Sequence, residues 1–92
     1  MKTFLLRIGT PDGLQFEGEV ERVICRTITG DQAILAGHCN FCTAVGSGES
    51  AVVLADGTRK TAVCAGGMLT VINGVCRLLT AVWEWKEEID EE

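Results

Sequence analysis

Glycine punctuates this chain so often that long helices have no room to form. Short apolar runs are cut at Pro11-Asp12-Gly13, Gly30-Asp31, Gly37-His38, Gly46 to Gly48, Asp56-Gly57, Gly66-Gly67 and Asn73-Gly74. Runs of that length, bounded by turn-forming residues, read as strands. Up to Thr80 no stretch of ordinary helix length keeps a 3.6-residue apolar period free of Gly and β-branched residues. The expected fold class is all-β, and short antiparallel strands at this spacing in a chain of 92 residues favour a small sandwich over a barrel.

The first run, Thr3 to Ile8, puts Phe4, Leu6 and Ile8 on one side. From Leu14 the alternation sets Leu14, Phe16, Gly18 and Val20 on a buried face and Gln15, Glu17, Glu19 and Glu21 on a wet one. At Arg22 the phase flips to Val23 and Cys25, which requires an extra residue and predicts a bulge or bend near Glu21-Arg22. Ala33 to Leu35 and Phe41 to Val45 read as further short strands. Asp56-Gly57 predicts a type I′ hairpin turn between Ser50 to Ala55 and Thr58 to Ala65, and Asn73-Gly74 a second hairpin between Met68 to Ile72 and Val75 to Leu79. The expected organisation is one β domain over 1–82 and an acidic tail over 83–92, capable at most of a fraying helical turn. Trp83 and Trp85 at the junction read as residues that cap the core or cover a sheet edge, with an exposed anchor for a partner as the alternative.

Charge narrows the function classes. The chain has 13 acidic against 8 basic residues, with Arg7, Arg22, Arg26, Arg59, Lys60 and Arg77 scattered. Nothing in that distribution favours nucleic acid, whose phosphates need clustered cations. Arg7 interrupts the apolar start too early for a signal peptide, which points to the cytosol, and no run is long enough for a spanning helix, so no direct membrane insertion is expected. Cys25, Cys39, Cys42, Cys64 and Cys76 are an odd number of cysteines and are expected to be thiols.

His38-Cys39-Asn40-Phe41-Cys42 is the segment with most chemical potential. His38, Cys39 and Cys42 are an alternative metal or redox site, but no second ligand pair follows in sequence, and a redox CxxC belongs at a helix N-terminus rather than at the entrance to a strand. The favoured reading makes Cys39 and Cys42 small buried hydrophobes. His38 and Cys39, as neighbours on an extended chain, point apart and make a poor base and nucleophile. Glu17, Glu19 and Glu21 form a solvated stripe, and the glycines match no phosphate-binding loop. No catalytic residue and no cofactor is expected; the chain reads as a protein that grips other proteins.

Taken in order, Thr10-Pro11-Asp12-Gly13, Phe16-Glu17-Gly18-Glu19-Val20, Gly30-Asp31, Ile34-Leu35-Ala36-Gly37-His38, Thr43-Ala44 and Gly66-Gly67-Met68-Leu69-Thr70-Val71 resemble the N-terminal domain of the epsilon subunit of rotary ATP synthases. The resemblance implies a flattened sandwich of two antiparallel sheets with about ten strands. It also implies a noncatalytic rotor component at the foot of the central stalk, touching the gamma subunit with one surface and the polar loops of the c-ring with another, on the cytoplasmic side of the membrane.

By position, the resemblance assigns Gly30, Asp31 and Gln32 to the loop that meets the ring, with Gly37, His38 and Asn40 at the turn beside it. Asp31 would pair with a basic side chain of the ring. Ala36 departs from the family's usual proline, and Cys39 to Cys42 replace an apolar stretch. Most members continue into a two-helix hairpin that restrains ATP hydrolysis and in some binds ATP; with the sequence stopping at Glu92, the expectation is coupling without inhibition and without ATP binding.

Overall fold

The computed structural model describes residues 2–27, 30–35, 37 and 40–86. Seven strands follow one another: β1 (Phe4–Thr10), β2 (Gly13–Thr27), β3 (Gly30–Leu35), β4 (Phe41–Leu54), β5 (Arg59–Ile72), β6 (Val75–Thr80) and β7 (Trp83–Trp85). Among the described residues there is no helix.

The strands are hydrogen-bonded in the order β1-β6-β5-β4-β2-β3, and β1 also pairs β2, so five of them close into a flattened ring. β3 extends β2 outside that ring, and β7 pairs β5. The three long strands are shared between two layers. β2 pairs β1 from Gly13 to Val20 and pairs β3 from Arg22 to Thr27. β5 pairs β7 over Ala62 to Cys64 and β6 over Gly67 to Ile72, with β4 alongside both halves.

This is the two-layer sandwich that the pattern favours. The expected short strands on either side of Gly46–Gly48 and of Gly66-Gly67 are halves of continuous β4 and β5, bent at those glycines. One pair departs from the antiparallel rule: β1 and β6 run parallel, Leu5 opposite Val75 and Gly9 opposite Leu79. The connection between them is the other strands of the body rather than a crossover helix.

Periodicity explains most of the core. Phe4, Leu6 and Ile8 are buried on one side of β1. In β2 the register against β4 slips between Val20 and Arg22, the bend predicted from the phase flip, and both Val20 and Val23 are fully buried on either side of it. Leu69, Val71, Cys76 and Leu78 join Val52, Ala62, Cys64, Cys25 and Ile34 in one continuous core with the inner face of β1.

Two local readings need correction. Leu14, expected on the buried face, is 60% exposed. Ile8 pairs Phe16 but Gly9 pairs Leu14, so Gln15 is bulged out and the alternation inverts one residue earlier than the sequence pattern shows. At Asp56-Gly57 only Gly57 has positive φ, at 91°. Gly57 N donates to Leu54 O at 2.9 Å and Leu54 N to Thr58 O at 2.8 Å, a longer loop in which Asp56 Oδ1 also accepts from Thr58 N. The Asn73-Gly74 turn does have positive φ at both residues, 52° and 81°, as a type I′ hairpin requires.

The sheet continues past the expected domain boundary at residue 82. Trp83 is buried opposite Cys64, and its ring meets Trp85 edge-on at 5.3 Å between centroids. Phe16 packs on the same Trp85 ring at 5.9 Å, and Lys60 Nζ lies 4.8 Å above it. Lys86 then donates its backbone N–H to Thr61 O and its ammonium to Glu49. The packing role expected for both tryptophans holds; the acidic residues 87–92 lie outside the described residues.

Candidate partner-binding surfaces

β3 is the edge strand of its layer, with β2 on its inner flank. Gly30, Asp31 and Gln32, expected in a loop, form its first half and pair Thr27, Arg26 and Cys25. Thr27 Oγ1 donates to Gly30 O at 2.7 Å and ties the start of the strand down. Asp31 is 62% exposed and accepts a single hydrogen bond from Arg26 Nε at 3.3 Å. A pair that open contributes about 1 kcal/mol or less to stability, so its charges are available to a partner.

The second group of expected site residues sits elsewhere. Gly37 lies beyond the far end of β3, in a small hollow with Phe4, Ile34, Val71 and Gly74. Asn40 Oδ1 accepts from Asn73 N at 2.9 Å and so pins the β5–β6 turn. Asp31 and Leu35 are separated by about 13 Å of strand, which places Asp31 and Gly37 toward opposite ends of β3. His38 lies outside the described residues.

Sequence reasoning missed a groove. Gly9, Thr10, Pro11 and Leu14 on one side and Gly67, Leu79 and Ala81 on the other border a shallow, open depression of about 550 Å³ with an almost wholly apolar lining. Leu79 is 61% exposed, and its cross-strand partner Met68 is exposed beside it. An exposed cluster of large apolar side chains on a small domain marks an interaction surface. The available signal was the adjacent pair Leu78-Leu79: on a strand only one of the two can face the core.

The polar edge and the groove lie at the same end of the sandwich. Gly30, Thr27, Val45, Gly67 and Thr80 are successive cross-strand partners on β3, β2, β4, β5 and β6. Three strand spacings, about 14 Å along the curved sheet, therefore separate Gly30, the neighbour of Asp31, from Gly67 in the wall of the groove.

The four described cysteines do not assemble a reactive centre. Cys25, Cys64 and Cys76 are buried, and Ser50 Oγ lies 3.7 Å from Cys64 Sγ. Burial pushes the Cys25 thiol up to about 11 and the Cys76 thiol up to about 12, so both are protonated and poor nucleophiles at neutral pH. Cys42 corrects the buried-hydrophobe reading: β4 turns Val45 inward and Cys42 outward opposite Thr70, and the thiol is exposed. Cys39, like His38, is outside the described residues, and among the described residues no three metal-ligating side chains gather.

Comparison with known proteins supplies the frame for these surfaces. The family described as "ATP synthase, Delta/Epsilon chain, beta-sandwich domain" matches residues 3–86. The ATP synthase epsilon chain, sodium ion specific, of Acetobacterium woodii is 39% identical over 89 residues, 97% of this chain and 67% of its own length. The ATP synthase epsilon chain of Caldicellulosiruptor bescii is 35% identical over 92 residues, 100% of this chain and 66% of its own. The chain thus spans about two thirds of the length of these relatives. A chain in the Euglena gracilis mitochondrial ATP synthase (OSCP/F1/c-ring) superposes with a TM-score of 0.87 at 27% identity, over 96% of this chain and 56% of that one. A chain from the Tetrahymena thermophila mitochondrial ATP synthase central stalk and c-ring shares the fold, with a TM-score of 0.77 at 11% identity, over 89% of this chain and 66% of that one. With the fold, the ordered motifs and a match running from β1 through β7, the chain belongs to the ATP synthase delta/epsilon family and carries its β-sandwich domain.

Proposed function

We propose that this protein is a noncatalytic rotor subunit of an ion-translocating ATP synthase, joining the gamma subunit to the c-ring so that ion flow drives ATP synthesis. In this reading it sits on the cytoplasmic side of the membrane, held there through the complex. The observation that carries it is the pairing of two unlike surfaces at one end of a closed β body: an apolar groove at Leu14 and Leu79, and a charged edge at Asp31. The groove suits a permanent partner such as gamma, because burying large apolar side chains dominates stable interfaces. The charged edge suits polar ring loops, where ion pairs set orientation more than affinity.

Affinity purification of the tagged chain from its native cell tests this. Recovery of gamma together with c-ring is the expected result, and recovery of neither would refute the assignment. Chemistry of its own is not part of the proposal: burial keeps the Cys25 and Cys76 thiols protonated, and Glu17, Asp31 and Glu49 are engaged in exposed ion pairs.

A further inference from the structure

Asp31 is not a lone carboxylate awaiting a cation, because Arg26 faces it across the β2–β3 ladder. The bond between them uses Arg26 Nε and one carboxylate oxygen at 3.3 Å, longer than a closed charge-assisted pair and not bidentate. Among the described residues the terminal amino groups of Arg26 and the second oxygen of Asp31 have no hydrogen-bond partner. Both side chains are more than half exposed, at 55% and 62%.

The arm of Arg26 nevertheless lies against the backbone of β4. Between Ile24 and Thr27 the β2–β4 register jumps from Ala51 to Val45, so β4 bulges out through Gly46 to Ser50. The Arg26 side chain lies over that bulge: a Cβ on Gly48 would stand 3.5 Å from its Cδ and Nη1 and 3.6 Å from its Cζ. Gly48 has φ +149°, a conformation that glycine adopts readily and other residues rarely do. Glu49, a further carboxylate in the field of Arg26, is taken by Lys86 and feels Arg26 only through space. The guanidinium is therefore positioned on a backbone floor with its outer N–H groups open.

A partner offering Asp31 a cation alone would set that cation beside Arg26 as well. A loop with a carboxylate next to its cation meets no such conflict. We propose that Arg26 and Asp31 dock as one two-charge unit onto a partner loop of this kind, the terminal N–H groups of Arg26 taking the carboxylate and the free oxygen of Asp31 taking the cation. The inference deepens the reading that this edge faces the ring and rests on it; Arg26 becomes a specificity-determining residue of that contact.

The test measures binding of the full chain to a purified gamma–c-ring subcomplex, with Arg26→Gln, Asp31→Asn and the exchange Arg26→Asp/Asp31→Arg. Arg26→Gln and Asp31→Asn should each weaken ring-dependent binding about tenfold, with the melting temperature lowered by no more than about 5 °C. The exchanged pair keeps its internal bond but presents reversed polarity, and should bind at least as weakly as either single variant. If Arg26→Gln binds as tightly as the wild type, or more tightly, while Asp31→Asn binds weakly, Asp31 acts alone and the two-charge unit is wrong. If no variant changes ring-dependent binding although gamma is still held, the edge does not face the ring, and the underlying assignment of this surface falls with the proposal.

Discussion

Gly67 passes so closely under Leu79 that a methyl group at position 67 would overlap the Leu79 carbonyl oxygen. The clash is with backbone on the partner strand, which cannot swing aside as a side chain can, and the φ of +157° adds strain for any L side chain. Gly67→Ala should cost about 3 kcal/mol or more, read as a loss of urea stability or of soluble folded protein. Gly66, with φ +92° and only Val45 O at 3.4 Å, should cost about 1–2 kcal/mol as alanine.

The buried thiols make stability fall at high pH. Cys25 and Cys76 ordinarily ionise near 9.0 but are held up to about 11 and about 12 by burial. Above pH 9 the unfolded chain gives up these protons while the folded one keeps them, so the stabilisation is complete below pH 9 and declines through each folded value. The slope approaches about 1.4 kcal/mol per pH unit for each thiol. Urea melts from pH 7 to 11 should show it, and Cys76→Ala should flatten the upper part of the curve.

Thiol labelling gives an independent check on the same residues. In a Cys39→Ser background, Ellman's reagent at pH 8 should react promptly with the single exposed Cys42 and slowly, at the rate of opening of the fold, with Cys25, Cys64 and Cys76. Prompt reaction of more than one thiol would show that the packing around Ser50 and Cys64 is looser than described.

Trp83 is buried, and among the described residues its indole Nε1–H has no partner. Trp83→Phe removes that unsatisfied donor along with some ring volume and should cost under about 1.5 kcal/mol, whereas Trp83→Ala should cost about 3–5 kcal/mol. Lys60→Gln, which removes the cation above Trp85, should cost about 0.5–1 kcal/mol. Thermal melts followed by tryptophan fluorescence report all three.

The groove predicts a separation of stability from binding. Leu14→Ser and Leu79→Ser change side chains that are already mostly in water, so folding stability should shift by no more than about 0.5 kcal/mol. Under the proposed role, gamma binding by each variant should weaken about tenfold or more. Unchanged gamma binding would remove the groove from the interface.

Much of this body was legible from alternation and glycine placement. Phe4, Leu6 and Ile8 declare the inner face of β1, and the misfit between Val20 and Val23 announces the bend where β2 changes layers. The bulge at Gln15 was hidden because Leu14 continues the apolar alternation without a break, and only pairing with β1 shows that it has changed face. Cys42 was misread for a related reason: the inward phase of β4 is set at Val45, three residues on. The charged partner of Asp31 was out of reach, since Arg26 is five positions away in sequence and becomes its neighbour only through the β2–β3 register. Motif order located the family, whereas surfaces assembled from four or five strands required the register itself.

The pairing of β1 with both β2 and β6 has a mechanical consequence. An open sheet fails from its margin, ladder by ladder, as a zip does. In the ring of β1, β6, β5, β4 and β2 each strand is flanked on both sides, so removing one means rupturing two ladders together. A twisting load applied across such a body is shared by all ladders in shear, and only β3 and β7 can be peeled away. For a component proposed to sit between a turning ring and a shaft, that closure makes the domain a stiff collar whose compliance is confined to its outermost strands.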